Sequence, residues 1–176
     1  MSDELKEAGL ALFRQGQRQE AIARFEEAAA SYAAAGDKTG EGEALNNIGV
    51  IRRLERDWPA AQEAFQRAQT LFAETGDQAR QAQVTGNLGD LYAYQGQTEE
   101  AARAYSDAAE MMAAAGDREK QAQLLRALSL LRLRQRRIME SMLLMGQSLE
   151  VRPRLSFPQR IFRALIQFML SLMGRA

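Results

Sequence analysis

The sequence predicts an all-α protein built as a stack of two-helix repeats, and three observations carry that reading. Aligned against itself at a spacing of 40 residues, the chain superimposes four times without a gap. Gly9, Gly49, Gly89 and Ser129 share one register; Ala21, Ala61, Ala101 and Ser141 share another. Phe25, Phe65, Tyr105 and Met145 form a third register, and Ala28, Ala68, Ala108 and Ser148 a fourth. A fixed period of this size marks a repeat array in which each unit buries its apolar face against its neighbours. Apolar residues also fall at helical spacing, as in Ala8, Ala11 and Leu12, then Leu45, Ile48 and Ile51, then Leu88, Leu91 and Tyr92. Finally, prolines occur only at positions 59, 153 and 158, which leaves most of the chain free to be helical.

Turn residues divide each repeat into two helices. In the first repeat, Gly16-Gln17 separates helices over 3–15 and 18–35. Gly36 suits the left-handed position just past a helix end, and Asp37 suits the cap of a helix over 38–55. Asp57 caps the next helix, 58–75, with Pro59 in the first turn, where its missing N–H costs little. Gly76-Asp77 opens a helix over 78–95. Gly96-Gln97 precedes one over 98–115, with Thr98 as the expected N-cap ahead of Glu99 and Glu100. Gly116-Asp117 opens 118–136, followed by a helix over 138–150. The expected domain is thus an array over 1–150, with repeats near 1–36, 37–76, 77–116 and 117–150. A linker over 151–157 contains Pro153, and the C-terminal amphipathic segment 158–176 carries a last helix from about Pro158 to Met173. Ser156 and Gln159 have the spacing of a capping box at its start.

Composition narrows the chemistry. The absence of cysteine excludes disulfides, thiolate metal sites and thiol nucleophiles, and the absence of histidine removes the commonest general base and metal ligand. No paired carboxylates fall in a recognisable pocket pattern, so neither catalysis nor a cofactor or metal is expected. Gly36-Asp37-Lys38-Thr39-Gly40 has neither the spacing nor the preceding strand of a phosphate-binding loop and reads as a helix–helix turn. Residues 1–7 are acidic, without a basic-then-apolar signal pattern, which predicts a cytoplasmic chain. The net charge of zero conceals a polarity. Residues 1–117 carry 11 Lys/Arg against 20 Asp/Glu, and residues 118–176 carry 12 against 3. Such a distribution points to an anionic target for the last third or to pairing between the two parts.

The repeat positions resemble the tetratricopeptide repeat family. The second repeat reads Leu45, Ile48-Gly49, Ala61, Phe65 and Ala68; the third reads Leu88-Gly89, Tyr92, Ala101, Tyr105 and Ala108. The period of 40 exceeds the family's usual length of about 34 residues and resembles the longer subclass seen in kinesin light chains. In the fourth copy Ser129, Ser141, Met145 and Ser148 replace family residue types. The resemblance implies a right-handed superhelix of about four helix-turn-helix repeats, followed here by the amphipathic C-terminal helix. It implies a non-catalytic scaffold or adaptor that binds a protein or peptide segment on the concave face lined by the first helix of each repeat.

Carried over by register, that face includes Leu10, Phe13 and Arg14, then Glu43, Asn46, Asn47, Val50 and Leu54. It continues through Gln83, Asn87, Asp90 and Tyr94 to Arg126, Leu130, Leu133 and Arg134. Leu54 and Tyr94 would be apolar anchors. Asn47 and Asn87 occupy equivalent positions, where an asparagine either holds the backbone of an extended peptide or bonds to the adjacent helix. The carboxylate clamp of the co-chaperone subclass is not reproduced. Lys6 fits one clamp position, but Leu10 stands where an asparagine is expected, and Gln83 and Asn87 replace the later basic pair.

Two C-terminal features remain. Arg126, Arg132, Arg134, Arg136 and Arg137 fall in a stretch with no acidic residue, where they suit the negative end of a helix. No aromatic residue is interleaved between 118 and 156, so nucleic acid is not the expected partner. In the last helix, Arg160, Arg163, Gln167, Ser171 and Arg175 fall within an arc of about 120°. Ile161, Phe162, Leu165, Ile166, Phe168, Met169, Leu170, Leu172 and Met173 fill about 200° of the rest. The helix is too short and too basic at its start to span a membrane. A face this apolar calls for a cover. The end of its own array (Leu130, Leu133, Met139, Met142 and Met145), a second copy of the chain, or an anionic membrane surface could each provide it.

Overall fold

A computed structural model describes the backbone of residues 1–173, and residues 1–171 with their side chains. Among the described residues it is all-helical: α1 (Ser2–Arg14), α2 (Arg18–Ala34), α3 (Lys38–Leu54), α4 (Trp58–Thr75), α5 (Gln78–Tyr94), α6 (Thr98–Ala114), α7 (Arg118–Arg134), α8 (Ile138–Val151) and α9 (Phe157–Met173). The chain forms two compact units, Met1–Leu91 and Tyr92–Ala176.

The helix boundaries follow from a turn that recurs every 20 residues. Gly16, Gly36, Gly76, Gly96 and Gly116 all have positive φ, and the same turn occurs at Arg56 (φ 63°) and Arg136 (φ 60°). Arg136 is therefore why α7 stops at Arg134 and does not run on to 136 as the sequence suggests. A side chain in this conformation costs about 1–2 kcal/mol, of which glycine's greater freedom in the unfolded chain cancels part. Arg56→Gly is expected to raise stability by about 0.5–1 kcal/mol, measured by urea denaturation followed by circular dichroism.

Capping follows the aspartates. Asp37, Asp57, Asp77 and Asp117 accept hydrogen bonds from the backbone N–H of Gly40 (2.9 Å), Ala60 (3.3 Å), Arg80 (2.9 Å) and Lys120 (3.0 Å). Each supplies an otherwise orphaned N–H with a partner, worth about 1 kcal/mol. Thr98 does not cap: Gln97 occupies that position, without a side-chain bond, and Thr98 is the first helical residue.

Packing in the first unit rests on rings seated against bare backbone. Phe25 lies over Gly9, Tyr32 over Gly40, Phe72 over Gly42 and Phe65 over Gly49; a Cβ at those glycines would come within 2.4–2.9 Å of ring atoms. Ala21, Ala28, Ala44, Ala61 and Ala68 are fully buried and let adjacent helices approach closely. In the second unit, Ala101, Ala102, Tyr105, Leu128 and Leu131 form one buried cluster. The serines of the fourth copy fit the same geometry. Ser129 donates to the Ser141 carbonyl (2.8 Å) and Ser148 to the Ala122 carbonyl (2.7 Å), so each buried hydroxyl is satisfied.

Helix α9 begins as the capping-box spacing predicts, the Gln159 side chain accepting from the Ser156 N–H at 2.9 Å. It packs on α8 along a narrow stripe. Ile166 is buried, its Cγ2 3.6 Å from where a Gly146 Cβ would stand, and Gln167 donates to Glu150 (3.2 Å). Ile166 is thus an internal contact and not part of an outward docking face. Ile161, Phe162, Leu165, Phe168 and Met169 remain 48–60% exposed, so the end of the array covers only one edge of this helix. The side chains of Leu172 and Met173, and Arg175, lie outside the described residues.

Candidate functional site

The first helices of the first unit, α1, α3 and α5, enclose a groove of about 330 Å³. Its walls include Lys6 and Leu10 from α1, Asn46 and Asn47 from α3, and Arg80 and Gln83 from α5. Glu43 stands between the helices and joins all three. It accepts from Lys6 Nζ at 2.8 Å and from Arg80 Nε at 2.6 Å. Further along, Arg53 of α3 pairs with Asp90 of α5. These three pairs share one sequence separation, 37 residues. That separation is the repeat length less three, which places a charge one helical turn earlier on the next first helix. Opposite charges 37 apart were visible in the sequence; register matching at 40 misses the groove residue Arg80 and, further along, Arg53.

The asparagines divide into two kinds. Asn46 is buried, and its Oδ1 accepts from Asn87 Nδ2 at 2.8 Å, bonding α3 to α5. Asn46 thus lines the groove as a buried wall residue whose carbonyl is committed to a neighbouring helix. Asn87 likewise spends one donor on that bond. Asn47 is half-buried and lines the groove. Val50 is half-buried, and Leu54, at the end of α3, is 46% exposed.

The remaining predicted face residues belong to the second unit. Tyr94 is 71% exposed at the end of α5. On α7, Arg126, Leu130, Leu133 and Arg134 are all exposed. Arg126 and Leu130 line a cavity of about 500 Å³ with Met145 and Leu149 of α8 and Gln159 and Phe162 of α9. Two of the five clustered arginines have acidic partners, one from α6 and one three residues along the chain. Arg132 lies 3.2 Å from Glu99, and Arg137 lies 2.6 Å from Glu140.

Electrostatics fix the state of the first-unit groove. Burial pushes the Glu43 carboxyl up, but the hydrogen bonds from Lys6 and Arg80 outweigh it and hold the group below its ordinary value of 4.5. The bond to Glu43 in turn raises Lys6. A carboxyl with a depressed folded-state pKa stabilises the protein above its unfolded value, and that stabilisation is lost as pH falls through the folded value. Unfolding free energy is therefore expected to decline below about pH 4.5, and Glu43→Gln to flatten that decline in acid titrations of the denaturation midpoint. Among the described residues, no group of three or more Asp or Glu side chains could hold a metal ion.

The family model described as "Tetratricopeptide repeat" matches residues 5–74 and 40–114. The match identifies the repeat and no subclass of it. Among solved structures, BtubC (BKLC) from P. vanneervenii is similar at 19% identity and a TM-score of 0.77, over 88% of this chain and 68% of that one. MamA is similar at 19% identity and a TM-score of 0.66, over 85% and 77%. The pilF protein of Pseudomonas aeruginosa is similar at 17% identity and a TM-score of 0.70, over 97% and 69%. At these identities the likeness is one of fold. No curated protein sequence matches the chain.

Proposed function

The chain belongs to the tetratricopeptide repeat family, and we propose that it is a non-catalytic scaffold that holds an extended peptide in the groove between α1, α3 and α5. The repeat generally serves protein interaction; the groove's chemistry suggests which kind of segment fits. The observation that carries this reading is the engagement of both groove cations by Glu43. Glu43 already offsets the charge of Lys6 and Arg80, so a ligand carboxylate would meet little net positive charge there, and displacing Glu43 would leave that carboxylate unpaired. The amides of Asn47 and Gln83 remain to bond a peptide backbone, with Leu10, Val50 and Leu54 as apolar contacts. The segment that fits is therefore internal and uncharged at the groove, held by its main chain and one or two apolar side chains.

Peptide-display selection on the full chain, with affinities of the selected sequences measured by calorimetry, tests this. Asn47→Ala with Gln83→Ala is expected to weaken binding by about tenfold or more, since each lost bond removes about 0.5–1.5 kcal/mol. Amidating the peptide's C-terminus is expected to change little. Peptides that bind only with a free C-terminal carboxylate, or that ignore both substitutions, would overturn the reading.

A further inference from the structure

The apolar surface of this protein is concentrated at one end of the sequence. Among the described residues, the exposed large hydrophobic side chains before position 130 are Met1, Leu54 and Tyr94. All the others fall between Leu130 and Met169. Five of them, Ile161, Phe162, Leu165, Phe168 and Met169, recur at helical spacing on one side of α9, with Phe157 (75% exposed) at its start. At about 100° per residue, these six lie within an arc of about 140°. Ile166, which meets α8, lies about 110° from the centre of that face and about 40° from Phe162, the flank that also lines the cavity against α7 and α8. Packing of α9 on its own unit therefore does not cover the face; it orients the face outward.

Charge indicates the cover. No acidic residue occurs after Glu150, whereas Arg152, Arg154, Arg160 and Arg163 do. Arg152 is held by Glu119 at 2.9 Å. Arg154 and Arg160 are exposed beside the start of the apolar face, and Arg163 lies on the opposite, polar side. Pairing two such segments face to face would bring arginines together with no carboxylate of their own to offset them. The acidic first unit of a second copy offers only Met1 and Leu54 as exposed large apolar residues, too few to match the face. No helix among the described residues is long and apolar enough to cross a membrane. A short helix with one broad apolar face, cations beside it and no acid instead matches the interface plane of an anionic bilayer.

We propose that α9 is a membrane-docking helix. Phe157, Ile161, Leu165, Phe168 and Met169 insert below the headgroups of an anionic leaflet, and Arg154 and Arg160 lie among the phosphates. Ile166 holds the helix to α8, so docking fixes the second unit against the bilayer.

The test is flotation of the full-length protein with phosphatidylcholine vesicles and with vesicles of phosphatidylcholine mixed with phosphatidylglycerol. The protein is expected to float with the mixed vesicles and to be released by salt. Arg154→Gln with Arg160→Gln is expected to weaken partitioning by about 30-fold. Leu165→Glu or Phe168→Glu is expected to weaken it by more than about tenfold each. Both residues are half-exposed, so circular dichroism of these variants should match the parent. Failure to float with mixed vesicles, or flotation unaffected by the glutamate substitutions, overturns the proposal. So does a dimer in light scattering that the same substitutions dissociate, which would make a second copy the cover.

Discussion

Phe65→Ala is expected to lower the unfolding free energy by about 3–5 kcal/mol. The ring is fully buried and sits where Gly49 leaves no Cβ. Truncation removes the transfer energy of the side chain and leaves a cavity between α3 and α4, whose approach the ring and the glycine together set. Neighbouring alanines such as Ala61 and Ala68 are too short to collapse into it. Urea denaturation would report the loss, and hydrogen exchange should place it in the first unit, with amides of α3 and α4 exchanging earlier than in the parent.

Gly40→Ala tests the same packing from the backbone side. Inside a helix this substitution ordinarily gains about 1 kcal/mol. Here the new methyl would stand 2.4 Å from the Tyr32 ring, closer than any Cβ is tolerated. Tyr32 is buried, and its hydroxyl donates to Asp3 at 2.5 Å, so moving the ring also breaks that bond. Overpacking costs about 1–3 kcal/mol and more, which outweighs the propensity gain and makes the net change a loss. Gly146 gives the opposite sign. A Cβ there meets Ile166 at an ordinary 3.6 Å, so Gly146→Ala is expected to stabilise α8 by up to about 1 kcal/mol. Thermal melts of the two variants should therefore move in opposite directions.

The helices and their caps were legible because the period repeats a turn, a cap and a small residue at fixed offsets. At Arg56, Asp57 and Pro59 still marked the turn; at Arg136, which holds the left-handed position without a glycine to mark it, the end of α7 was placed two residues late. The inner face was only half legible. Register matching named Asn46 and Asn47 alike, but one helical step of about 100° separates a buried interhelix bond from an open groove wall. The same matching missed the Lys6–Glu43–Arg80 bridge, because contacts between successive first helices are offset by one turn from the repeat period. The tail's apolar arc was clear, but not which edge of it would meet the array. Gly146 was the available signal: it stands where the earlier copies carry the longer Glu26, Gln66 and Ser106, and Ile166 packs beside it.

The most direct measurement is an NMR titration of the uniformly labelled protein with a neutral peptide taken from display selection, following the side-chain amide resonances. Asn47 and Gln83 are expected to shift on binding, with Lys6 still held by Glu43. Shifts confined to the outer surfaces of α2 and α4, with the inner-groove amides unmoved at saturation, would contradict it.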